Sequence, residues 1–129
     1  MLVAVNEAEQ IINLLEFSKS DLTELVGQFL RCPACKSQVR LKNGHVKMPH
    51  FAHVNLAACQ YYSENESLQH LTLKKRLYHW FKQTEQVKIE HFLPELQQTP
   101  DLLVNETIAI EIQCSHLSIQ RLRERTETY

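Results

Sequence analysis

Two acidic side chains between residues 100 and 114 have the spacing of a divalent metal site. This segment consists of two short apolar runs joined by a polar turn, with β-branched residues enriched in the second run, which is typical of a β-hairpin. If residues 105–107 form the turn, Asp101 lies directly opposite Glu111. Neighbouring carboxylates repel each other, whereas a hard cation such as magnesium binds their oxygens and reverses that repulsion. The hairpin therefore predicts a magnesium site at Asp101 and Glu111.

The same hairpin also fits a reading without chemistry. Alternation along the strands predicts that Leu102, Val104, Ile108, Ile110 and Ile112 face a core, while Asp101, Glu111 and Gln113 face the other way. Asp101 would then simply begin a strand after a proline, and Glu111 would lie on a solvated face. The hairpin alone does not decide between these two interpretations.

A second set of possible ligands consists of three cysteines and two histidines between positions 32 and 59. Zinc takes four such ligands in a tetrahedron, and we predict that they are Cys32, Cys35, His53 and Cys59. His50 is the alternative ligand if Cys59 does not reach the ion. Four protein ligands leave no open position for a substrate, so the predicted zinc is structural.

Two other interpretations of the cysteine pair stay open. A redox Cys-x-x-Cys motif needs a preceding strand and a helix that starts at the second cysteine, but here a hairpin with an Asn43-Gly44 turn is predicted to follow. Alternatively, Cys32 and Cys35 are small buried apolar residues, and the histidines are exposed or face a catalytic cleft.

The strongest helix signal runs from Ser63 to Gln83, where Ser63 and Glu66 form a capping box. One face of this helix is predicted to carry Glu66, His70, Leu73, Leu77, Trp80 and Phe81, with Lys74 at its edge. Ionisable groups on an inward face are costly unless they are used, which favours a site at Glu66, His70 and Lys74. In the alternative, Glu66 only caps the helix, and the other two form a solvated rim.

Length and composition fit a single domain with a small metal-bound lobe. The chain has 129 residues and a net charge of -1, so charge alone predicts no nucleic acid partner. Only two glycines occur, which argues against a phosphate-binding glycine loop. Since neither a membrane span nor a secretory signal is recognisable, we expect a cytoplasmic protein whose four cysteines are ligands or bystanders.

The remaining elements are predicted from alternation and capping signals. We expect strands at residues 1–5, 38–42, 45–47 and 86–93, a helix start near Ser20 or Asp21, and a last helix over residues 119–129 that Ser118 caps. The last helix reaches the final residue without a stop signal, so the sequence resembles part of a longer protein. We predict an N-terminal region, 1–62, with a zinc-binding-like lobe at about 30–60, and a second domain at 63–129.

The order helix, strand, hairpin, helix is similar to the PD-(D/E)XK nuclease fold, with Glu66, then Pro100-Asp101, then Glu111-Ile112-Gln113. Residues 30–129 also resemble the competence protein CoiA family. The motifs that carry this resemblance occur in the family's order: Arg31-Cys32-Pro33-Ala34-Cys35, Pro49-His50-Phe51-Ala52-His53, Glu66-Ser67-x-x-His70-x-x-x-Lys74, Pro100-Asp101-Leu102-Leu103, Glu111-Ile112-Gln113-Cys114-Ser115 and Arg125-Thr126-x-x-Tyr129.

The resemblance implies an α/β fold in which a small zinc-ribbon-like lobe precedes a PD-(D/E)XK nuclease-like core of helix, antiparallel strands and helix. It implies DNA as the partner, together with recombination proteins, during DNA uptake in natural transformation. Family members are longer at the C-terminus, so the C-terminal part of the nuclease core is expected to be missing here. Gln113 stands where the nuclease pattern more often has lysine.

The function that we predict is metal-dependent hydrolysis of DNA phosphodiesters. Asp101 and Glu111 would hold magnesium or manganese, with the Ile112 carbonyl and, through water, Glu66. Gln113 would orient the attacking water, and Lys74 or His70 would supply the missing positive charge.

Two rivals to this enzyme stay open. One is a non-catalytic module that binds DNA or a recombination partner on a nuclease-like scaffold, because a fold alone does not establish an activity. The other is a zinc-bound structural domain that binds only protein. The sequence gives neither the form of the DNA substrate nor the oligomeric state.

Overall fold

The computed structural model describes residues 1–43, 48–55, 59, 61–62 and 66–113. The chain divides into two compact units, Met1–Glu66 and Ser67–Tyr129. The predicted helix over residues 119–129 lies outside the described residues. Within the described residues, no helix combines the length and the apolar character that crossing a membrane requires.

The first unit contains a five-stranded antiparallel sheet with the order β2-β1-β3-β4-β5. Two 3-10 helices, Leu14–Glu16 and Asp21–Leu25, lie between β2 and β3. The strands of this sheet are β1 Val3–Val5, β2 Ile11–Asn13, β3 Leu30–Arg31, β4 Gln38–Lys42 and β5 His50–His53.

The N-terminal run supplies much of the first unit's core. All five residues from Met1 to Val5 are buried, as expected for a short continuous apolar strand, and the predicted strand is confirmed. The helix start predicted near Ser20 is a 3-10 helix, Asp21–Leu25, in which Leu22 and Leu25 are buried. Ser20 precedes it without a side-chain capping bond. This element is therefore held by its two leucines rather than by a cap.

The hairpin after the first two cysteines differs from the predicted one. The predicted return strand, residues 45–47, lies outside the described residues, and the strand that pairs with β4 in the structure is β5. In the observed register, Val39 lies opposite His53 and Lys42 lies opposite His50. This pairing places His53 opposite Val39, which in turn lies opposite Leu30 of β3.

The second unit begins with the helix α1, Leu68–Lys82. Its N-cap is Ser67, whose hydroxyl accepts a hydrogen bond from the His70 N–H, so the capping box predicted from Ser63 and Glu66 is wrong. Ser63 itself lies outside the described residues. Because the helix starts later than predicted, Glu66 precedes it.

The buried face of α1 is also rotated relative to the prediction. Leu71, Lys74 and Tyr78 are buried, at the spacing of one helix face, so Lys74 lies at the centre of the face and not at its edge. Trp80, predicted to face inward, is 63% exposed. The helix packs on the sheet of the second unit through the face that contains the lysine.

That sheet has three antiparallel strands in sequence order: β6 Val87–Ile89, β7 Leu102–Val104 and β8 Ile108–Ile110. The predicted hairpin register is confirmed, since Val104 pairs with Ile108 and Leu102 with Ile110. The central strand β7 is wholly buried. Ile108 of the edge strand is 55% exposed and does not join the predicted core, because α1 packs mainly on β6 and β7.

Backbone geometry ends two of these elements. Asn105 and Glu106 both have positive φ, 52° and 61°, and the Thr107 N–H donates to the Val104 carbonyl, which closes a tight turn between β7 and β8. Glu90 has φ 49°, which ends β6 at Ile89, four residues before the predicted end. The same bend turns Glu90 inward.

Candidate functional sites

The first site is the cysteine cluster, which we define as Cys32, Cys35, His53 and Cys59. Cys32 follows β3, and a tight turn leads from it into β4. In this turn the Cys32 N–H donates to the Ser37 carbonyl at 2.9 Å, and the Lys36 N–H donates to the Cys32 carbonyl at 3.0 Å. The turn brings the Cys35 side chain back beside that of Cys32.

The ligand atoms of the cysteine cluster all lie within 4.8 Å of one another. The sulfurs of Cys32 and Cys59 are 3.9 Å apart. A tetrahedral zinc ion with Zn–S bonds of about 2.3 Å separates its sulfurs by roughly 3.8 Å, so the spacing fits zinc. The structure thus brings together the four residues predicted from the sequence. The alternative ligand His50 is outside this group, and its Nδ1 lies 3.0 Å from the Met48 carbonyl oxygen.

Backbone N–H groups donate to two sulfurs of this cluster. The Ala34 N–H donates to Cys32 Sγ and the Tyr61 N–H donates to Cys59 Sγ, both at 3.4 Å. Burial raises the pKa of the Cys32 thiol to about 12. Burial acts in the same direction on Cys35, but hydrogen bonds, chiefly with Ser37, outweigh it and lower the pKa to about 7. Zinc binds cysteine as the thiolate and would supply the positive charge that ionised sulfurs need, so the cluster could bind zinc.

The second site is the charge cluster of the second unit, which we define as His70, Lys74, Glu90 and Asp101. Lys74 is only 1% exposed. Its Nζ lies 2.9 Å from Glu90 Oε2 and 3.4 Å from Asp101 Oδ1. A buried ammonium is stable only when it is paired, and two carboxylates provide that pairing here.

Asp101 is held at the start of β7 by groups on both of its oxygens. Oδ2 accepts a hydrogen bond from the Ile112 N–H at 2.8 Å and lies 3.3 Å from His70 Nε2. Burial alone would raise the pKa of Asp101, but the hydrogen bond with His70, the Lys74 ammonium and the Ile112 N–H together lower it. Asp101 is therefore ionised at neutral pH.

His70 Nε2 has a second oxygen beside it, the Ile112 carbonyl oxygen at 3.1 Å. The carboxylate of Asp101 and the carbonyl of Ile112 thus converge on one ring nitrogen. Asp101 follows Pro100 at the start of β7, and Ile112 comes two residues after β8. The hairpin register brings these two positions together, so the convergence follows from the pairing of β7 with β8.

Glu90 is the member of the charge cluster that the sequence did not predict. Strand alternation places its side chain with that of the exposed Lys88, but the positive φ at Glu90 turns it inward, where it is 3% exposed. Its N–H also donates to the Asp101 carbonyl at 3.0 Å. A lysine on the inward face of α1 is the only signal that could have pointed to an acidic partner.

The other predicted catalytic residues are Glu66, Glu111 and Gln113. Glu111 and Gln113, which follow β8, are exposed. Glu66 belongs to the first unit, where its carboxylate lies 3.5 Å from the N-terminal amine. Whether Glu111 shares an ion with Asp101 stays a prediction.

The charge cluster is not neutral. Lys74 carries one positive charge, and Glu90 and Asp101 carry one negative charge each, so the net charge is -1 when His70 is neutral. A buried excess charge is costly in a medium of low polarity. The cluster can therefore accept one further positive charge.

Two family models match the chain in order. Residues 14–62 match the N-terminal domain of competence protein CoiA, and residues 66–129 match its nuclease-like domain. The chain is 33% identical over 102 residues to competence protein CoiA of Bacillus subtilis (strain 168), an alignment that covers 76% of this chain and 27% of that protein. This chain thus spans about a quarter of the curated relative. No solved structure shows significant similarity to this chain. Together these matches show that the chain belongs to the competence protein CoiA family.

Proposed function

We propose that this chain is the part of a CoiA-family protein that hydrolyses DNA phosphodiesters with a divalent metal ion, during DNA uptake and recombination in natural competence. The nuclease-like description of residues 66–129 supports DNA as the substrate. On this proposal the second unit is the start of a PD-(D/E)XK-type core, in which a helix packs on antiparallel strands.

The single observation that carries the proposal is the environment of Asp101. It is a 9% exposed, ionised carboxylate beside two of the three ionisable residues that the sequence predicted on the helix face, His70 and Lys74. Carboxylates with strong, specific partners in partly buried positions are typical of catalytic sites. The Ile112 carbonyl oxygen close by adds a second hard oxygen ligand, which fits magnesium or manganese.

The residues divide the chemistry as follows. Asp101, Glu111 and the Ile112 carbonyl hold the divalent ion, which when bound activates water and stabilises the leaving oxygen. Gln113 orients the attacking water but carries no charge. Lys74, fixed by Glu90, supplies positive charge toward the scissile phosphate that a motif lysine would otherwise provide.

A further part of the proposal concerns the first unit. The cysteine cluster would hold a structural zinc ion that braces the first unit. Three reduced cysteine ligands fit a reducing compartment such as the cytoplasm.

The test is cleavage of single-stranded and double-stranded DNA by the chain with magnesium or manganese. Asp101→Asn and Glu111→Gln should each reduce cleavage by about 100-fold or more, because each removes a charged ligand of the ion. Glu95→Gln, an acid-to-amide change at an exposed loop position, is the matched control and should cut like the wild type. Equal cleavage by all four proteins would contradict the proposed site.

A second candidate function is a non-catalytic DNA-binding module. Both oxygens of Asp101 already have donors within the protein, and Gln113 cannot replace a charged lysine, which together favour this candidate. It predicts DNA binding by the wild type and by Asp101→Asn with equal affinity, and no cleavage by either protein. A gel-shift titration beside the cleavage assay separates the two functions.

A further inference from the structure

We propose that the solvent-exposed face of α1 binds single-stranded DNA, with a base stacked on Trp80 and phosphates paired with Lys75 and Arg76. This inference rests on the proposed function, because it takes DNA as the partner. It deepens that proposal by assigning a binding surface outside the charge cluster and a preference for unpaired strands.

Six side chains at intervals of three and four residues form this surface. At about 100° per residue they lie opposite the buried residues Leu71, Lys74 and Tyr78. Together they line one open groove of about 460 Å³. We define them as the basic face: Thr72, Lys75, Arg76, His79, Trp80 and Gln83.

The positive charge of α1 is local. The helix contains four Lys and Arg residues and no Asp or Glu, although the whole chain has a net charge of -1. Lys74 is paired inside the charge cluster, whereas Lys75 and Arg76 are exposed and form no ion pair with the described residues. Two adjacent unpaired cations on an outer surface attract phosphate groups.

Trp80 supplies the second element of the surface, a large exposed ring. It is 63% exposed, so it contributes little to the core of the second unit. The Phe81 ring contacts it edge to face, with ring centroids 4.8 Å apart and planes at 73°. This contact restrains the indole while most of the residue stays open to solvent. A restrained, exposed aromatic ring is suited to stacking on a nucleobase.

An unpaired strand fits this surface better than a duplex does. In a duplex the base faces are covered by neighbouring bases, and a side chain reaches them only by unstacking a step. A single strand offers free base faces and phosphates together, which matches an aromatic ring beside two cations. An acidic peptide would pair with Lys75 and Arg76 but would leave Trp80 without a stacked ring.

The basic face is separate from the charge cluster. Trp80 follows His70 by ten residues, which is about 15 Å along the helix axis at about 1.5 Å per residue. Lys74, which lies between them in sequence, is on the buried side of the helix. Substitutions on the basic face should therefore leave the charge cluster intact.

The experiment measures binding by the zinc-loaded chain without magnesium or manganese, so that DNA is bound but not cut. Because the chain has one tryptophan, its fluorescence reports on Trp80 alone and should be quenched when oligothymidine of about 12 nucleotides binds. Anisotropy of a labelled strand gives the affinity. We expect a duplex of the same length to bind about 10-fold or more weakly.

Variants separate stacking from charge. Trp80→Ala should weaken binding of oligothymidine by about 10- to 100-fold, and Trp80→Phe, which keeps a ring, should lose less. Arg76→Ala should lower the steepness of log affinity against log salt by about 0.7, as expected for one lost phosphate contact. Phe29→Ala and Arg40→Ala, at exposed positions of the first unit, are the matched controls and should bind like the wild type.

Three results would overturn the inference. One is equal affinity of the wild type and Trp80→Ala for oligothymidine. Another is a duplex or oligoglutamate that binds as tightly as the single strand, which would assign the basic face to duplex DNA or to an acidic protein. The third is self-association that Trp80→Ala abolishes without a change in DNA affinity, which would assign the face to a second copy of the chain.

Cleavage after addition of manganese tests the proposed function separately. Cleavage by the wild type together with unchanged binding by Trp80→Ala keeps the nuclease and overturns the basic face as a DNA site. Binding that depends on Trp80, without cleavage, supports the basic face and contradicts the nuclease. If the wild type binds no DNA, the inference falls whatever the cleavage assay shows.

Discussion

The cysteine cluster and the charge cluster are both groups of buried ionisable side chains, but they balance charge in different ways. The cysteine cluster has three thiols and one imidazole, and within it there is no cation when the thiols ionise. The charge cluster contains its own cation, Lys74, between Glu90 and Asp101. We therefore expect the first cluster to need an ion in order to fold, and the second to fold without one.

The largest effect is expected from removing a ligand of the cysteine cluster. Cys59→Ser should abolish stoichiometric zinc binding and unfold the first unit, because structural zinc contributes roughly 10 to 16 kcal/mol in small zinc domains, as much as the whole stability of a typical domain. Mass spectrometry of the native protein and circular dichroism measure the two losses.

Ser37→Ala is the control for that change. It removes the hydroxyl that lies 2.8 Å from Cys35 Sγ but no ligand, so zinc binding should stay stoichiometric. A Cys59→Ser protein that keeps its zinc and its dichroism would show that the two clusters do not differ in their need for an ion.

A smaller but still large effect is expected from removing the cation of the charge cluster. Lys74→Met removes the ammonium that faces the buried carboxylates of Glu90 and Asp101, and it should lower the free energy of unfolding by about 3 to 5 kcal/mol, measured by urea denaturation. Lys75→Met, at the next and exposed position, should change it little. Glu90→Gln should cost less than Lys74→Met, since Lys74 keeps Asp101 as its partner.

A larger loss of stability in Glu90→Gln than in Lys74→Met would contradict this charge balance. If Glu90→Gln destabilised the protein more than Lys74→Met, the lysine would not be the cation that holds both carboxylates. The charge cluster would then not be distinguished from the cysteine cluster by a cation of its own.

The smallest effect on stability is expected at an exposed ion pair, with which the effects at the two buried clusters can be compared. Lys88 Nζ lies 2.6 Å from Glu106 Oε1 at the turn between β7 and β8, where Glu106 has a positive φ of 61°. Glu106→Gly removes the pair but relieves the backbone, and glycine adopts this conformation without steric cost. We expect Tm to rise by roughly 2 to 4 °C in a thermal melt. A lower Tm would show that the exposed ion pair stabilises the protein more than the relief of the backbone at residue 106 does.

The sequence predicted the parts of this molecule that local patterns determine. The grouping of Cys32, Cys35, His53 and Cys59 was predictable because a zinc site requires both residue type and spacing, and the hairpin register was predictable because strand alternation and turn length fix it. Asp101, His70 and Lys74 were also predicted as site candidates, and the structure brings these three together.

Tertiary packing determined what the sequence could not show. The buried face of α1 depends on the sheet beneath it, so Lys74 is central and Trp80 is exposed, contrary to the helical pattern. Glu90 enters the cluster only because its backbone bends at a positive φ, which no rule of alternation predicts for a glutamate. The capping serine was misassigned because Ser63 and Ser67 both precede good helix formers.

The ion proposed at Asp101 would serve catalysis and not folding, and a paired measurement on Asp101→Asn distinguishes these two roles. Replacing Asp101 leaves Lys74 and Glu90 as a neutral pair, so the zinc-loaded variant should melt within about 3 °C of the wild type. In the same samples, manganese-dependent DNA cleavage should fall by about 100-fold or more. Undiminished cleavage by a folded Asp101→Asn protein would show that Asp101 does not hold a catalytic ion.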